Sequence, residues 1–160
     1  MMGVSVRVVE VTDRGAVASA AALLHDFNTE FDTPTPGVEA LADRIARTPT
    51  DDLFIVVAAD DDADVGLAVV SLRPNVWFDG PVALVDELYV RPEHRNAGIG
   101  TCLMGEVRAE ASRRGVEHLE IAVDEPDLDA RRFYERHGFS PLDLDSGDRV
   151  LLYSGPVARA

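Results

Sequence analysis

The sequence predicts one α/β domain, residues 1–160, in which a mixed sheet carries helices on both faces. Three strand-like segments without an intervening helix, residues 53–59, 65–72 and 81–90, indicate an antiparallel block. A strand–helix–strand unit follows this block, and such a crossover joins parallel strands. The expected order of elements is therefore β-α-α-β-β-β-α-β-α-β-β.

The first part of the chain predicts one strand and two helices. Residues 4–11 alternate valine with polar side chains, which is typical of a strand. Thr12 or Asp13 can cap the helix that follows, in which apolar residues up to Phe31 recur at helical spacing. Residues 33–37 contain two prolines and a glycine, so they end this helix, and a second, shorter helix is expected after them.

The rest of the chain predicts a hairpin, a long helix and a closing region. The first two strands of the antiparallel block flank an aspartate-rich turn at residues 60–64. A long helix is expected from about Gly98 to Arg114, and Gly115 can end it. The remaining predicted elements are a strand at residues 117–123, a helix at 127–137 and two closing strands at 139–144 and 149–154.

The charge balance limits the ligands that this chain can bind. Asp and Glu number 29 against 15 basic residues, all of which are arginine, for a formal net charge of −14. This excess disfavours nucleic acids and anionic membranes, because binding to either depends on neutralising phosphates. It favours a cationic partner, although acidic residues in turns can also serve solubility alone.

Targeting and metal-binding patterns are not evident in the sequence. No apolar run approaches the roughly 20 residues of a membrane span, and the first residues lack the pattern of a secretory signal. We therefore expect a cytoplasmic protein. Cys102 is the single cysteine and the four histidines lack ligand spacing, so the sequence predicts neither a disulfide nor a metal site.

A glycine-containing turn precedes the long helix. Arg95 to Gly100 read Arg-Asn-Ala-Gly-Ile-Gly, between a predicted strand and a helix start. The free backbone N–H groups and the dipole of a helix start suit a phosphate, and Gly98 and Gly100 allow the backbone to come close to it. Arg95 can add a charge-assisted hydrogen bond. The turn can also be purely structural.

Two other nucleotide-binding motifs use comparable turns. A P-loop requires Gly-Lys-Ser or Gly-Lys-Thr, which is excluded because the chain contains no lysine. A dinucleotide-binding fingerprint places its first glycine directly after a strand and requires a third glycine where this chain has Leu103. That fingerprint is matched poorly.

Two motifs give the chain a resemblance to the GCN5-related N-acetyltransferases, the GNAT family. The segment from Asp86 to Gly100 is similar to the family's strand and its R/Q-x-x-G-x-G/A loop. The segment from Ala130 to Phe139 is similar to its A-x-x-F-Y-x-x-x-G-F ending. Together the motifs lie within about a third of the chain.

The resemblance implies an acetyl-CoA-dependent N-acetyltransferase without a metal. Backbone groups of residues 88–90 would pair with the pantetheine arm, and the amides that follow would hold the pyrophosphate. Asp127 stands where the family usually has an asparagine, so its contact with the pantetheine arm is in doubt. The implied cofactor-binding residues are Leu88, Tyr89, Val90, Arg95, Asn96, Ala97, Gly98, Ile99, Gly100, Thr101, Asp127 and Tyr134.

The expected reaction is direct attack of an amine on the thioester, which requires a base and a proton donor. Asp86 and Glu87 are adjacent on a strand and face opposite sides of the sheet, so one of them can point towards the acceptor. The resemblance favours Asp86, and Glu87 is the alternative. It also implies that Tyr134 protonates the leaving thiolate, whereas the helix pattern alone would place this tyrosine in the core.

The acceptor is predicted to be a small, cationic amine bound by the first helices and their loop. The residues that suggest this are His25, Asp26, Phe27, Asn28, Glu30, Phe31, Asp32 and Glu39, with Trp77 and Phe78 from a later loop. Acetylation of a protein or peptide amine is an alternative, as is a non-catalytic CoA-binding or regulatory domain. The resemblance also makes a homodimer an expectation.

Overall fold

A computed structural model of the chain describes residues 3–157, which fall into two compact units. The first unit ends at Ile121 and the second begins at Ala122. The first unit contains β1 (Val4–Val8), α1 (Arg14–Glu30), α2 (Val38–Arg47), β2 (Leu53–Asp60), β3 (Ala63–Arg73), β4 (Val82–Val90), a short 3-10 helix (Pro92–His94), α3 (Ile99–Arg113) and β5 (His118–Ile121). The second unit contains α4 (Leu128–Arg136).

The five strands form one sheet in the order β1-β2-β3-β4-β5. The first three pairings are antiparallel, and β4 pairs with β5 in parallel through the crossover that contains α3. The predicted mixed sheet is thereby confirmed. The hairpin between β2 and β3 turns at Asp61, which adopts a left-handed φ of +55° that aspartate tolerates better than most residues.

Both faces of the central strands are buried, which explains their valine-rich and alanine-rich composition. One face packs against α1 and α2 through a cluster that includes Val17, Leu23, Ile45 and Leu67. The other face packs against α3, whose Leu103 is fully buried. Alternate residues of each strand therefore enter different cores.

Gly66 in β3 allows α3 to lie close to the sheet. A Cβ at this position would come within 2.8 Å of the Tyr89 carbonyl oxygen and 3.2 Å of Leu103 Cδ1. A larger residue would have to displace the β4 backbone at Tyr89 and shift the Leu103 side chain of α3. This close packing fixes the start of α3 relative to the end of β4.

The second unit differs from the sequence prediction, which placed two strands at residues 139–144 and 149–154. Among the described residues of this region, the pairing is a single antiparallel bridge between Leu142 and Arg149. Asp143 accepts backbone hydrogen bonds from Asp145 and Ser146 and so closes a tight turn. A strand-like sequence is not sufficient for a strand, because each strand also needs a neighbour to satisfy its backbone groups.

None of the helices within residues 3–157 has the length and hydrophobicity needed to cross a membrane.

Candidate active site

The N-terminus of α3 has no side-chain cap. In α1 and α4, Asp13 and Asp127 each accept a 3.0 Å hydrogen bond from the backbone of the first turn. The N-cap of α3 is Gly98, which offers no side chain, and the first turn of α3 contains no acidic residue. The first N–H groups of α3 are therefore available to an anion, and no fixed carboxylate opposes it.

The conformation of Gly98 explains why glycine occurs at this position. Its φ of +83° lies in the left-handed region, and a Cβ built on it would have no atom within 4 Å. The space beside the helix start is thus open. Asn96 also has a positive φ, +62°, so the turn from Arg95 to Gly98 curls outward as an exposed loop.

A β-bulge interrupts β4 just before this loop. Glu87 lies opposite Val69 of β3, whereas Val85 lies opposite Val70, which leaves Asp86 as the extra, exposed residue. The sequence alternation gave no sign of this bulge. Because the bulge adds one residue to β4, the alternation of its side chains between the two cores shifts by one residue at this point.

Beyond the bulge, β4 has an edge that is not paired within the first unit. The parallel ladder with β5 ends at the pair Val85 and Ile121. On the other side, Arg91 N–H donates to the Val65 carbonyl oxygen at 2.9 Å, and Tyr89 lies opposite Leu67. The alternation of an antiparallel ladder then directs the backbone groups of Leu88 and Val90 away from β3, towards the open edge.

Glu87 shares a sheet face with Tyr89, which belongs to the core beneath α1 and α2. Its carboxyl group is half-buried, unlike that of the exposed Asp86. Burial, and secondarily the nearby charge of Asp86, raises the pKa of Glu87 above its usual value. A carboxylate with a raised pKa is a stronger base than a solvated one.

Tyr89 connects β4 to the last turns of α1. Its ring packs on Phe27 with 5.3 Å between centroids. Its hydroxyl group is hydrogen-bonded to Glu30, and burial together with this contact and charge raises the pKa of Tyr89 to about 12. Tyr89 is therefore a protonated, packed residue.

Two ion pairs bind the end of α1 to the segment after β4. Arg91 Nη2 donates to Asp26 at 2.7 Å, and Arg95 Nη2 donates to Glu30 at 2.8 Å. The two acids lie one helical turn apart, and each pair spans 65 residues of sequence. Sequence reasoning assigned Asp26 and Glu30 to a cationic acceptor and gave no sign of these two long-range ion pairs.

The side chain of Arg95 folds back over β4. Besides its contact with Glu30, Arg95 Nε donates to the Val90 carbonyl oxygen at 2.8 Å. Its guanidinium carbon lies 5.7 Å from the centre of the Tyr89 ring. The Arg95 side chain, predicted to contact a phosphate, thus makes three contacts within the protein.

The aromatic residues expected at the acceptor site are divided between the two ends of β4. Phe27 and Phe31 pack edge to face at the end of α1, near Tyr89. Trp77 and Phe78 precede β4, and Phe78 stacks on His118 at the start of β5. A nine-residue strand spans roughly 30 Å, so the structure does not bring Trp77 and Phe78 together with the α1 aromatics.

The other predicted site residues belong to the second unit. Tyr134 is buried on α4 and makes edge-to-face contacts with Phe133 and Phe139, as the motif pattern requires. Asp127 caps α4 through its carboxylate. Asparagine caps a helix as well as aspartate does, so this role accounts for a capping residue at position 127 and not for an acid in place of the expected amide.

The described residues 3–157 contain no group of three or more His, Cys, Asp or Glu side chains placed to hold a metal ion.

Comparisons with known proteins relate the chain to acetyltransferases. The sequence profile described as Acetyltransferase (GNAT) family matches residues 20–139. Streptothricin acetyltransferase of Streptomyces lavendulae is 35% identical over 66% of this chain and 51% of that protein, so the chain matches about half of its length. Aminoglycoside N(6')-acetyltransferase type 1 of Klebsiella aerogenes is 33% identical over 74% of this chain and 76% of that protein. The crystal structure of a protein from Arthrobacter sp. FB24, described as an acetyltransferase, superposes on this chain with a TM-score of 0.84. The two sequences are 41% identical, and the match covers 96% of each chain.

Proposed function

Because the chain belongs to the Acetyltransferase (GNAT) family, we propose that it transfers the acetyl group of acetyl-CoA to the amine of a small, cationic acceptor. The observation that carries this proposal is the open edge of β4 leading directly to the uncapped start of α3. A strand edge suits an extended amide-containing arm, and a helix start suits a phosphate. CoA contains both groups in that order.

The residues of this region fit CoA. The pyrophosphate is assigned to the N–H groups of the turn and first helical residues, Asn96 to Thr101, where no acid or side-chain cap competes. The pantetheine arm is assigned to Leu88 and Val90, whose backbone groups face the open edge. Tyr89 lies between these two residues, but its backbone pairs with β3 and its ring packs in the core, so it does not contact the pantetheine arm. The acetyl group would lie beside the bulge in β4.

The base is assigned to Glu87 rather than Asp86. A protonated amine must lose a proton before it can attack the thioester carbonyl carbon. Glu87 is half-buried with a raised pKa, whereas Asp86 is the exposed residue of the bulge. Glu87 can accept the proton directly or through a water molecule, and the amine nitrogen then forms the new C–N bond as the C–S bond breaks.

The proton donor to the leaving thiolate is assigned to Tyr134. The assignment rests on its position in the Phe-Tyr-x-x-x-Gly-Phe motif of the second unit. A tyrosine hydroxyl group that is protonated at neutral pH can donate a proton to the leaving thiolate.

The acceptor is assigned to the class of small amines. The two relatives named above are a streptothricin acetyltransferase and an aminoglycoside N(6')-acetyltransferase, and both names describe transfer to small molecules. The net charge of −14 favours an acceptor that is cationic. Asp32 and Glu39 are exposed acids in the loop between α1 and α2 and the first turn of α2, where no ion pair is found for them among the described residues.

An acceptor panel tests the proposal. Purified protein is incubated with acetyl-CoA and mono-, di- and polyamines, anionic amines, and peptides with free N-termini, and released thiol is measured. Cationic small amines should react best, and their apparent affinity should fall with added salt, because the Debye length shrinks from about 10 Å at 0.1 M to 3 Å at 1 M. A preference for peptides would instead identify the acceptor as a protein or peptide amine. Tight CoA binding without turnover of any amine would indicate a non-catalytic domain.

A further inference from the structure

The side chain of Arg95 occupies part of the surface that CoA would need. Its Nε donates to the Val90 carbonyl oxygen, which faces the open edge of β4, and its Nη2 donates to Glu30 on α1. Both contacts draw the guanidinium group back from the loop of which Arg95 is the first residue. An anion at the start of α3 would attract the same guanidinium group.

Glu30 is well placed to hold Arg95 in this position. Its side chain is 26% exposed and that of Arg95 is 39% exposed, so solvent does not fully screen the pair. Glu30 also lies close enough to the Tyr89 hydroxyl group to raise the pKa of Tyr89, so its carboxylate is on the side of α1 that faces β4. The carboxylate therefore competes with any phosphate for one guanidinium group.

We propose that Arg95 exchanges partners when CoA binds, leaving Glu30 and the Val90 carbonyl group for the pyrophosphate, and that Glu30 thereby sets the affinity for CoA. This inference rests on the proposed function. The exchange removes the Arg95 side chain from the edge of β4 and adds a charge-assisted contact to the phosphate. Glu30 acts through Arg95, so it is a positioning residue.

The neighbouring ion pair need not break. Arg91 lies in the segment before the 3-10 helix and outside the loop from Arg95 to Gly98, and its pairing with Asp26 holds the last turns of α1 on β4. The structure thus combines one pair that anchors α1 with one pair that competes with the ligand.

Isothermal titration of CoA into the free protein tests the exchange without using activity. Glu30→Gln should lower the dissociation constant about two- to fivefold, the range that an exposed ion pair of up to about 1 kcal/mol allows. Arg95→Gln should weaken binding, and Glu30→Gln should have no further effect in the Arg95→Gln background. Circular dichroism and thermal unfolding confirm that each variant is folded.

Glu93→Gln is the matched control for net charge. Glu93 is exposed, two residues from Arg95, and its replacement removes the same unit of negative charge. An equal gain in Glu93→Gln and Glu30→Gln would mean that general charge sets the affinity, and the proposal would be wrong. Unchanged or weaker CoA binding by Glu30→Gln would also overturn it, since the pair would then be a structural brace.

A second measurement reads the exchange directly. In the free protein, the Arg95 Nε–H group should exchange slowly with water because it is bonded to Val90, and its resonance is identified by its loss in Arg95→Gln. Saturating CoA should shift this resonance. A resonance that stays unchanged while CoA binds would contradict the exchange but not the proposed function, whereas wild-type protein that does not bind CoA would refute both.

Discussion

Glu87 lies opposite Val69, on the sheet face that packs against α1 and α2, although its neighbour Asp86 is extruded by the bulge. The bulge thus decides which of two adjacent carboxylates is half-buried beside the end of β4. In an uninterrupted strand the alternation would continue, and the two side chains could not be ranked from the sequence.

Replacing Glu87 with glutamine should reduce kcat by about 10²- to 10⁴-fold, the usual contribution of a positioned base. Asp86→Asn, an equivalent change one residue away, should reduce kcat much less. Steady-state kinetics with a cationic amine provide the measurement. A larger loss in Asp86→Asn would assign the base to Asp86.

Glu87→Gln should increase the stability of the fold at pH 7, although it lowers kcat. The folded-state pKa of Glu87 is raised, so its contribution to stability is fully present below the unfolded value of 4.5 and is lost as pH rises through the folded value. At pH 7 the ionised carboxylate therefore costs stability. Chemical denaturation should show Glu87→Gln to be more stable than wild type at pH 7 and not at pH 4. No gain at pH 7 would indicate a well-solvated carboxylate.

Gly98 and Gly115 provide a matched pair of substitutions at the two ends of α3. Both have left-handed φ angles, +83° and +74°, and a Cβ at either position would meet no atom within 4 Å. Alanine should therefore cost about 1–2 kcal/mol at each site. Acetyl-CoA at about 100 times its dissociation constant should stabilise wild type and Gly115→Ala by roughly 2.7 kcal/mol. Gly98→Ala should lose most of this stabilisation, and thermal unfolding with ligand tests the assignment of the pyrophosphate.

Tyr134→Phe tests the proton donor in the second unit. The ring and its edge-to-face contacts with Phe133 and Phe139 are retained, so the fold should survive. The rate of the chemical step should fall by about 10²-fold, at the low end of the range for proton transfer, because a thiolate leaves readily. Affinity for acetyl-CoA should change little. A single-turnover rate above about half that of wild type would make Tyr134 a core residue.

Asp64 should make the fold sensitive to acid. Arg7 donates two hydrogen bonds to its carboxylate, at 2.8 and 2.7 Å, and these bonds, with a further one from Ser19, hold the pKa of Asp64 below its usual 3.8. Stability from this group is therefore present above pH 3.8 and is lost as pH falls through the lowered folded-state value. Asp64→Asn should lower the free energy of unfolding at pH 7 by about 0.2–1 kcal/mol and have no effect at the lowest pH.

Asp62→Asn is the control for Asp64→Asn, since Asp62 is an exposed acid of the same hairpin turn. It should leave the acid dependence of unfolding unchanged. Equal effects of the two substitutions would assign the acid sensitivity to the general charge of the turn.

Local patterns in the sequence determined most of the elements and the nature of the turn before α3. The periodicity of α1 and α3, the Asp13 cap and the aspartate-rich hairpin act within a few residues, so a single stretch of sequence contains the information. The glycine at position 98 was also interpretable locally as one that lets the backbone approach a phosphate, whereas its left-handed conformation was visible only in the structure. The two motifs then identified the family.

The tertiary structure decided which side chains meet. The bulge at Asp86 depends on register between β3 and β4, and the pairing of Arg95 with Glu30 joins residues that are far apart in the chain. The sequence of residues 139–154 suggested two strands, but a strand forms where a neighbour satisfies its backbone groups, and local pattern does not specify that neighbour. Local sequence therefore determined most of the elements and the family of this protein, whereas tertiary packing left Glu87 half-buried and Asp86 exposed and gave Arg95 a partner within the fold.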